Sequence, residues 1–166
     1  MSDYHESYLG QLRQLIGKKK IFAIGARAII TNDKGHVLLV QRSDNQQWVM
    51  PAGSVELEES ILDTCKREVW EETGLIVHEA TLIAIYSDPS YSFVTAYGDP
   101  YQMLSFVFRV DSWSGELLNT TDETLAAKFF ALDALPDNIP SIYEETLDDL
   151  KNSTEQLSSS DYELKP

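Results

Sequence analysis

Glu68, Glu71 and Glu72 stand within five consecutive residues of the run REVWEETGL. On a helix, residues three and four apart share a face, so these carboxylates project within an arc of about 100°, at ~100° per residue. The spacing predicts a helix from about Glu59 to Thr73, with Gly74 as its C-terminal cap. Ile61, Leu62, Cys65 and Val69 fall on an adjoining apolar stripe, so the acids flank the buried side. The Glu68–Glu72 pair costs about 0.2–0.5 kcal/mol of helix stability. Glu71 and Glu72 also sit in the last turn, where the helix dipole disfavours negative charge. Two local rules broken at one place point to a functional site. A hard divalent cation resolves the conflict. Mg²⁺ and Mn²⁺ take oxygen ligands, and Mg²⁺ commonly combines one or two carboxylates with water and substrate phosphate oxygens. His5, His36 and His78 are scattered and Cys65 is the only cysteine, so no zinc cluster is expected. Taken alone, the three glutamates have a plainer alternative, a solvated acidic face.

The surroundings decide between the two. Gly53, Glu59, Arg67, Glu68, Val69, Glu71, Glu72, Gly74 and Leu75 fill every fixed position of the pattern G-x5-E-x7-R-E-U-x-E-E-x-G-U, where U is aliphatic. The stretch resembles the signature of the Nudix hydrolases, the MutT-like family. Strand-like runs on either side, and WVMPAG just upstream, extend the resemblance over roughly residues 20 to 135. It implies an α/β/α sandwich around a mixed β-sheet, with a loop–helix–loop carrying the signature. It also implies hydrolysis of a nucleoside diphosphate linked to another moiety. By the same resemblance Glu68, Glu71 and Glu72 are metal-binding carboxylates, Glu68 also helps deprotonate water, and Arg67 orients the glutamates. A guanidinium suits that role because it holds a carboxylate in a fixed fork. Family members usually carry Gly-Gly where this chain has Ala52-Gly53. The first of these often gives its carbonyl to the metal, and alanine keeps that carbonyl, so Ala52 stays in the expected ligand set. A further family carboxylate often precedes a late strand; TTDETLAAKFF offers Glu123 there.

A diphosphate is strongly anionic, and cations would bring it to a negative cleft. The reaction that the resemblance implies is Mg²⁺- or Mn²⁺-dependent hydrolysis of an ADP-ribose-like or related nucleotide. The alternatives are MutT-like pyrophosphohydrolysis of oxidised nucleoside triphosphates, and a non-catalytic nucleotide-sensing module. The intact signature disfavours the last. Trp48, Tyr91 and Tyr97 are candidates to stack on a base, with core packing as the plainer role for each.

The remaining chain must position these groups. At 166 residues it is long enough for a single domain with a sizeable core. Tyr8, Leu9, Leu12, Leu15 and Ile16 form one helical stripe, which predicts an amphipathic N-terminal helix within residues 1–17, docked on the domain; a homodimer contact is the second use of that stripe. IFAIGARAII and HVLLVQR read as strands joined by a hairpin turn over residues 31–35. Gly53 is expected to allow an unusual backbone angle. TLIAIYSD, MLSFVFRV and KFFAL read as further strands. A last helix opens at Ser141 and runs to about Leu150, and residues 152–166 read as a loose polar tail. The order is mixed α and β. A net charge of −14 argues against a nucleic-acid polymer or an anionic membrane as main partner. One cysteine and no apolar run in MSDYHESYLG point to a reducing cytoplasm without a secretory signal. No apolar stretch approaches the ~20 residues of a membrane span.

Overall fold

A computed structural model describes residues 4–152 and 163–165. After a short 3₁₀ turn at Tyr4–Glu6 the elements are α1 (Tyr8–Ile16), β1 (Ile21–Ile29), β2 (Val37–Arg42), β3 (Trp48–Val49), β4 (Ala52–Ser54), α2 (Ile61–Thr73), β5 (Ile76–Tyr86), β6 (Ser92–Val94), β7 (Pro100–Ser114), β8 (Thr124–Phe130), α3 (Ser141–Asn152) and β9 (Glu163–Lys165). A mixed sheet runs β4-β1-β7-β5-β9, with β6 also paired to β7; β3, β2 and β8 make a second, antiparallel sheet. Both sheets and α2 share one core, in which Ile30, Leu38, Leu39, Met50, Val69, Leu75 and Val107 are fully buried. This is the expected mixed α/β architecture. Among the described residues no helix is long and apolar enough to cross a membrane.

The expected β1–β2 hairpin does not form. The turn itself is there: Asn32 Oδ1 accepts the amides of Lys34 and His36, each at 3.0 Å, and Gly35 has φ 74°. The strands then part into different sheets, with a Thr31–Val37 bridge and a Leu38 N–H to Ile30 carbonyl bond between their near ends. The reason lies in the burial of β1. From Gly25 to Ile29 every residue is buried, and its edges are taken by β7, in parallel register, and by β4. A strand engaged on both edges has no ladder left for its sequence neighbour.

The N-terminal helix forms, but its stripe is rotated from the expected one. Leu9 is buried, whereas Leu15 is 85% exposed. Arg13 takes the interior position, donating to Tyr101 Oη at 3.1 Å, Pro100 O at 2.6 Å and Gly17 O at 3.0 Å. Its guanidinium also sits 4.3 Å from the Tyr101 ring centroid. Of the expected tail, Glu163–Lys165 pairs in parallel with β5, and residues 153–162 and 166 lie outside the described residues.

Candidate metal centre

Helix α2 is built to carry the acids. Ser60 caps it, accepting the Asp63 amide at 3.1 Å, and Gly74 ends it in the left-handed region with φ 75°. Cys65 and Val69 enter the core on one side. Burial pushes the Cys65 thiol up to about 12, which makes it a packing group and no nucleophile.

Arg67 organises the carboxylates. Its Nε and Nη2 form a fork on Glu59, at 2.7 and 3.1 Å, while Nη1 donates to Glu68 at 2.6 Å and to Glu71 at 3.0 Å. Thr64 Oγ1 adds a bond to Glu59 at 2.8 Å, and Nη2 also reaches the Ser54 carbonyl at 3.1 Å. Burial opposes the charge on Glu59, but the Arg67 and Thr64 bonds win and hold its carboxyl below the usual range. Glu59 therefore anchors the arginine rather than lining the site. Glu68, Glu71 and Glu123 each bring a carboxylate oxygen within 4.8 Å of the other two. Three oxygen donors at this spacing fit a hard divalent ion in chemistry and size.

Glu123 reaches the group because its loop is tied to α2. Thr121 Oγ1 accepts the amides of Glu123 and Thr124, each at 3.2 Å, and Thr124 Oγ1 donates to the Glu72 carbonyl at 3.2 Å. Leu118 N–H bonds to the Thr73 carbonyl. Glu72 stands apart from the convergent three. It is 5% exposed, and one oxygen accepts the Ala52 amide at 3.1 Å. The structure thus ties Ala52 to the site through its N–H; φ at Ala52 is not positive, so its Cβ brings no backbone strain.

Gly53 is required for a different reason from the one its sequence suggests. Its φ is also not positive, but a Cβ there would lie 2.0 Å from Glu68 Cδ. The glycine makes room for the carboxylate. Gly53→Ala is expected to displace Glu68, costing about 1–3 kcal/mol if the neighbours must yield. Mn²⁺ titration and thermal unfolding of the variant check this. Wild-type values for both would show that Glu68 has another equally good position.

The acids are held against their preference. Burial pushes Glu68 up to about 7, partly opposed by Arg67, and burial also raises Glu72. Burial and then the Glu71 charge raise Glu123. A carboxyl whose folded pKa exceeds its unfolded one binds its proton more tightly in the folded state. Stability is therefore lost as pH rises through the window from 4.5 to about 7 for Glu68. In EDTA the protein is expected to melt at a higher temperature near about pH 5.5 than near about pH 8, with a shallower slope in Glu68→Gln. Equal slopes in the two proteins would contradict the assignment.

A cleft of about 580 Å³ opens beside the carboxylates, lined by Trp70, Glu71, Gly74, Leu118, Asp122 and Glu123 among others. Trp70 is 59% exposed. It was hidden in the sequence because it occupies the variable position between Val69 and Glu71; a large aromatic on the solvent side of an acidic helix was the available signal. The three aromatic residues expected to stack on a base do not line this cleft. Trp48 packs edge-on against Phe130 at 4.9 Å. Tyr91 is buried against Tyr86 and donates its hydroxyl to Glu145. Tyr97 is exposed, with its ring stacked on Tyr4. Each has found an aromatic neighbour within the fold.

The family described as "NUDIX domain" matches residues 22–150. A MutT-like protein of Streptomyces ambofaciens is 27% identical over 123 residues, which cover 74% of this chain and 73% of that one. An ADP-ribose pyrophosphatase of Methanocaldococcus jannaschii is 35% identical over 118 residues, 69% of this chain and 64% of that protein. Among solved structures, a MutT NUDIX hydrolase from Burkholderia pseudomallei superposes with a TM-score of 0.64 at 27% identity, covering 78% of this chain and 97% of that one.

Proposed function

This chain belongs to the Nudix family of hydrolases that act on pyrophosphate bonds, and on that premise we propose that it cleaves a nucleoside diphosphate linked to another moiety, in the manner of an ADP-ribose pyrophosphatase. The observation that carries the reading is the convergence of Glu68, Glu71 and Glu123 beside an open cleft, with Arg67 holding two of the three. Bound Mg²⁺ or Mn²⁺ would supply the charge neutralisation and water activation that a dianionic diphosphate demands. Arg67 keeps Glu68 and Glu71 in register while Glu59 braces the arginine from behind. Glu68, a carboxylate of the convergent group, takes the proton of the attacking water. Ala52 belongs to the proposed site through its backbone, and Glu72 supports the ligands from the buried side.

Trp70 and Leu118 give the cleft an apolar wall next to the acids, suited to the planar, non-phosphate part of the substrate. Trp70→Ala is expected to raise KM about tenfold, with kcat nearly unchanged, which corresponds to roughly 1.4 kcal/mol of lost stacking. An unchanged KM would remove Trp70 from the substrate site.

The likeness to a MutT-like protein favours a second reading, pyrophosphohydrolysis of an oxidised nucleoside triphosphate. Both are tested by incubating the protein and either metal with ADP-ribose, a sugar nucleotide and 8-oxo-dGTP, and identifying the products. A nucleoside monophosphate plus a phosphorylated sugar supports the first reading; a monophosphate plus pyrophosphate supports the second. Binding without turnover would overturn both in favour of a sensing module. The substrate is a small molecule in each case, and a lone, buried cysteine suits a cytoplasmic setting.

A further inference from the structure

The N-terminal helix lies outside the signature, yet its first turn is bonded into the acidic site. Tyr8, the first residue of α1, donates its amide to Glu56 Oε2 at 2.8 Å. That amide is one of the helix-start donors without an intrahelical partner, and a carboxylate there also meets the positive end of the helix dipole. Glu56 lies in the loop between β4 and α2, and its own N–H donates to Glu59 Oε2 at 3.2 Å. Glu59 holds the Arg67 fork, and Arg67 holds Glu68 and Glu71. The hydrogen bonds form an unbroken path from α1 to two of the three convergent carboxylates.

Both ends of the path are anchored in the fold. At one end Arg13 ties α1 to Tyr101 and Pro100. There too Gly10 lets the Tyr4 carbonyl approach so closely that a Cβ would lie 1.8 Å from it. At the other end Glu68 is buried under Gly53. The loop between has Leu57 and Glu58 exposed, and Glu58 has φ 64°, in the left-handed region that non-glycine residues avoid. Its start is tied to β1 by the Val55 N–H bond to the Ile24 carbonyl, and the Tyr8 amide bond to Glu56 ties its centre to α1.

We propose that α1 is a positioning element for the metal centre and that Glu56 is the positioning residue through which it acts. The inference rests on the reading of Glu68 and Glu71 as metal ligands. Docking of α1 sets the Glu56 backbone, which sets Glu59, which orients Arg67 and with it the two ligands.

The test uses the full chain with Glu56→Ala, Glu56→Gln, Arg13→Met and, as control, Glu68→Gln. Mn²⁺ affinity is read by electron paramagnetic resonance, and amide exchange over residues 53–68 is read without metal, both well below the melting temperature. Glu56→Ala is expected to weaken Mn²⁺ binding about tenfold, the usual cost of losing a group that orients a ligand, and to speed exchange in the loop and first turn of α2. Glu56→Gln keeps a carbonyl oxygen for the Tyr8 amide and should restore both. Arg13→Met, which touches no carboxylate of the acidic site, should reproduce the Glu56→Ala effect by loosening α1. Wild-type affinity and exchange in Glu56→Ala, with affinity lost in Glu68→Gln, would overturn the proposal and leave the metal site standing. Wild-type affinity in Glu68→Gln would instead overturn the metal reading. Exchange would still decide the path in that case, and unchanged protection in Glu56→Ala would overturn it.

Discussion

Glu68→Gln is expected to leave the fold intact and to lower kcat/KM by about a thousandfold, the range for losing a general base and a ligand charge together. The amide is nearly the same shape as the carboxylate, and its oxygen can still accept from Arg67 Nη1, so the Arg67 network survives in part. What disappears is the charge that attracts the cation and the basicity that takes the proton. Steady-state kinetics at saturating Mg²⁺ and circular dichroism of the same preparation check the expectation together. A rate within a few-fold of wild type would remove Glu68 from the reaction. Glu123→Gln should lose less, because it contributes to the convergent oxygens without an Arg67 bond. Glu72→Gln should affect binding and turnover together. Its carboxyl is buried on the Ala52 amide, so its loss should appear in metal affinity as well as in turnover.

The second large effect is thermodynamic. Glu68, Glu71 and Glu123 repel one another in the metal-free protein, and a bound divalent ion turns that repulsion into attraction. At a free Mn²⁺ concentration of about 100 times the dissociation constant, a single site should add roughly 2.7 kcal/mol of stability, if the unfolded chain does not bind. The doubly substituted Glu71→Gln, Glu123→Gln protein should lose most of that gain. In EDTA it should melt no lower than wild type, because the Glu71 charge helps to raise the Glu123 carboxyl and the amide oxygen introduced in place of the Glu71 carboxylate can still accept from Arg67. The measurement is thermal unfolding across a Mn²⁺ series at constant ionic strength. An equal metal-induced shift in both proteins would locate the binding elsewhere and return the acids to a solvated face.

The spacing of Arg67, Glu68, Glu71, Glu72 and Gly74 determined a helix with its acids on one side and its end at the glycine, because helical period and left-handed capping are local properties of the chain. The strands around β1, β2, β5, β7 and β8 were legible for the same reason, from apolar runs broken by turn residues. Glu123 could be named through the family resemblance, which places a carboxylate before a late strand. Its convergence with Glu68 and Glu71, however, depends on Thr124 binding the end of α2, a contact between residues some fifty positions apart. Sheet assignment was not legible: the Thr31–Gly35 turn forms either way, and only the competition of β7 and β4 for the edges of β1 sends β2 into the other sheet. The buried role of Arg13 was hidden for a similar reason, since a helical stripe cannot show that Tyr101 and the Pro100 carbonyl wait on the facing strand. Gly53 makes the division plain. Its type suggested a backbone angle, a local property, whereas its space is taken by a carboxylate fifteen residues further along, which only the packing of α2 against β4 brings there.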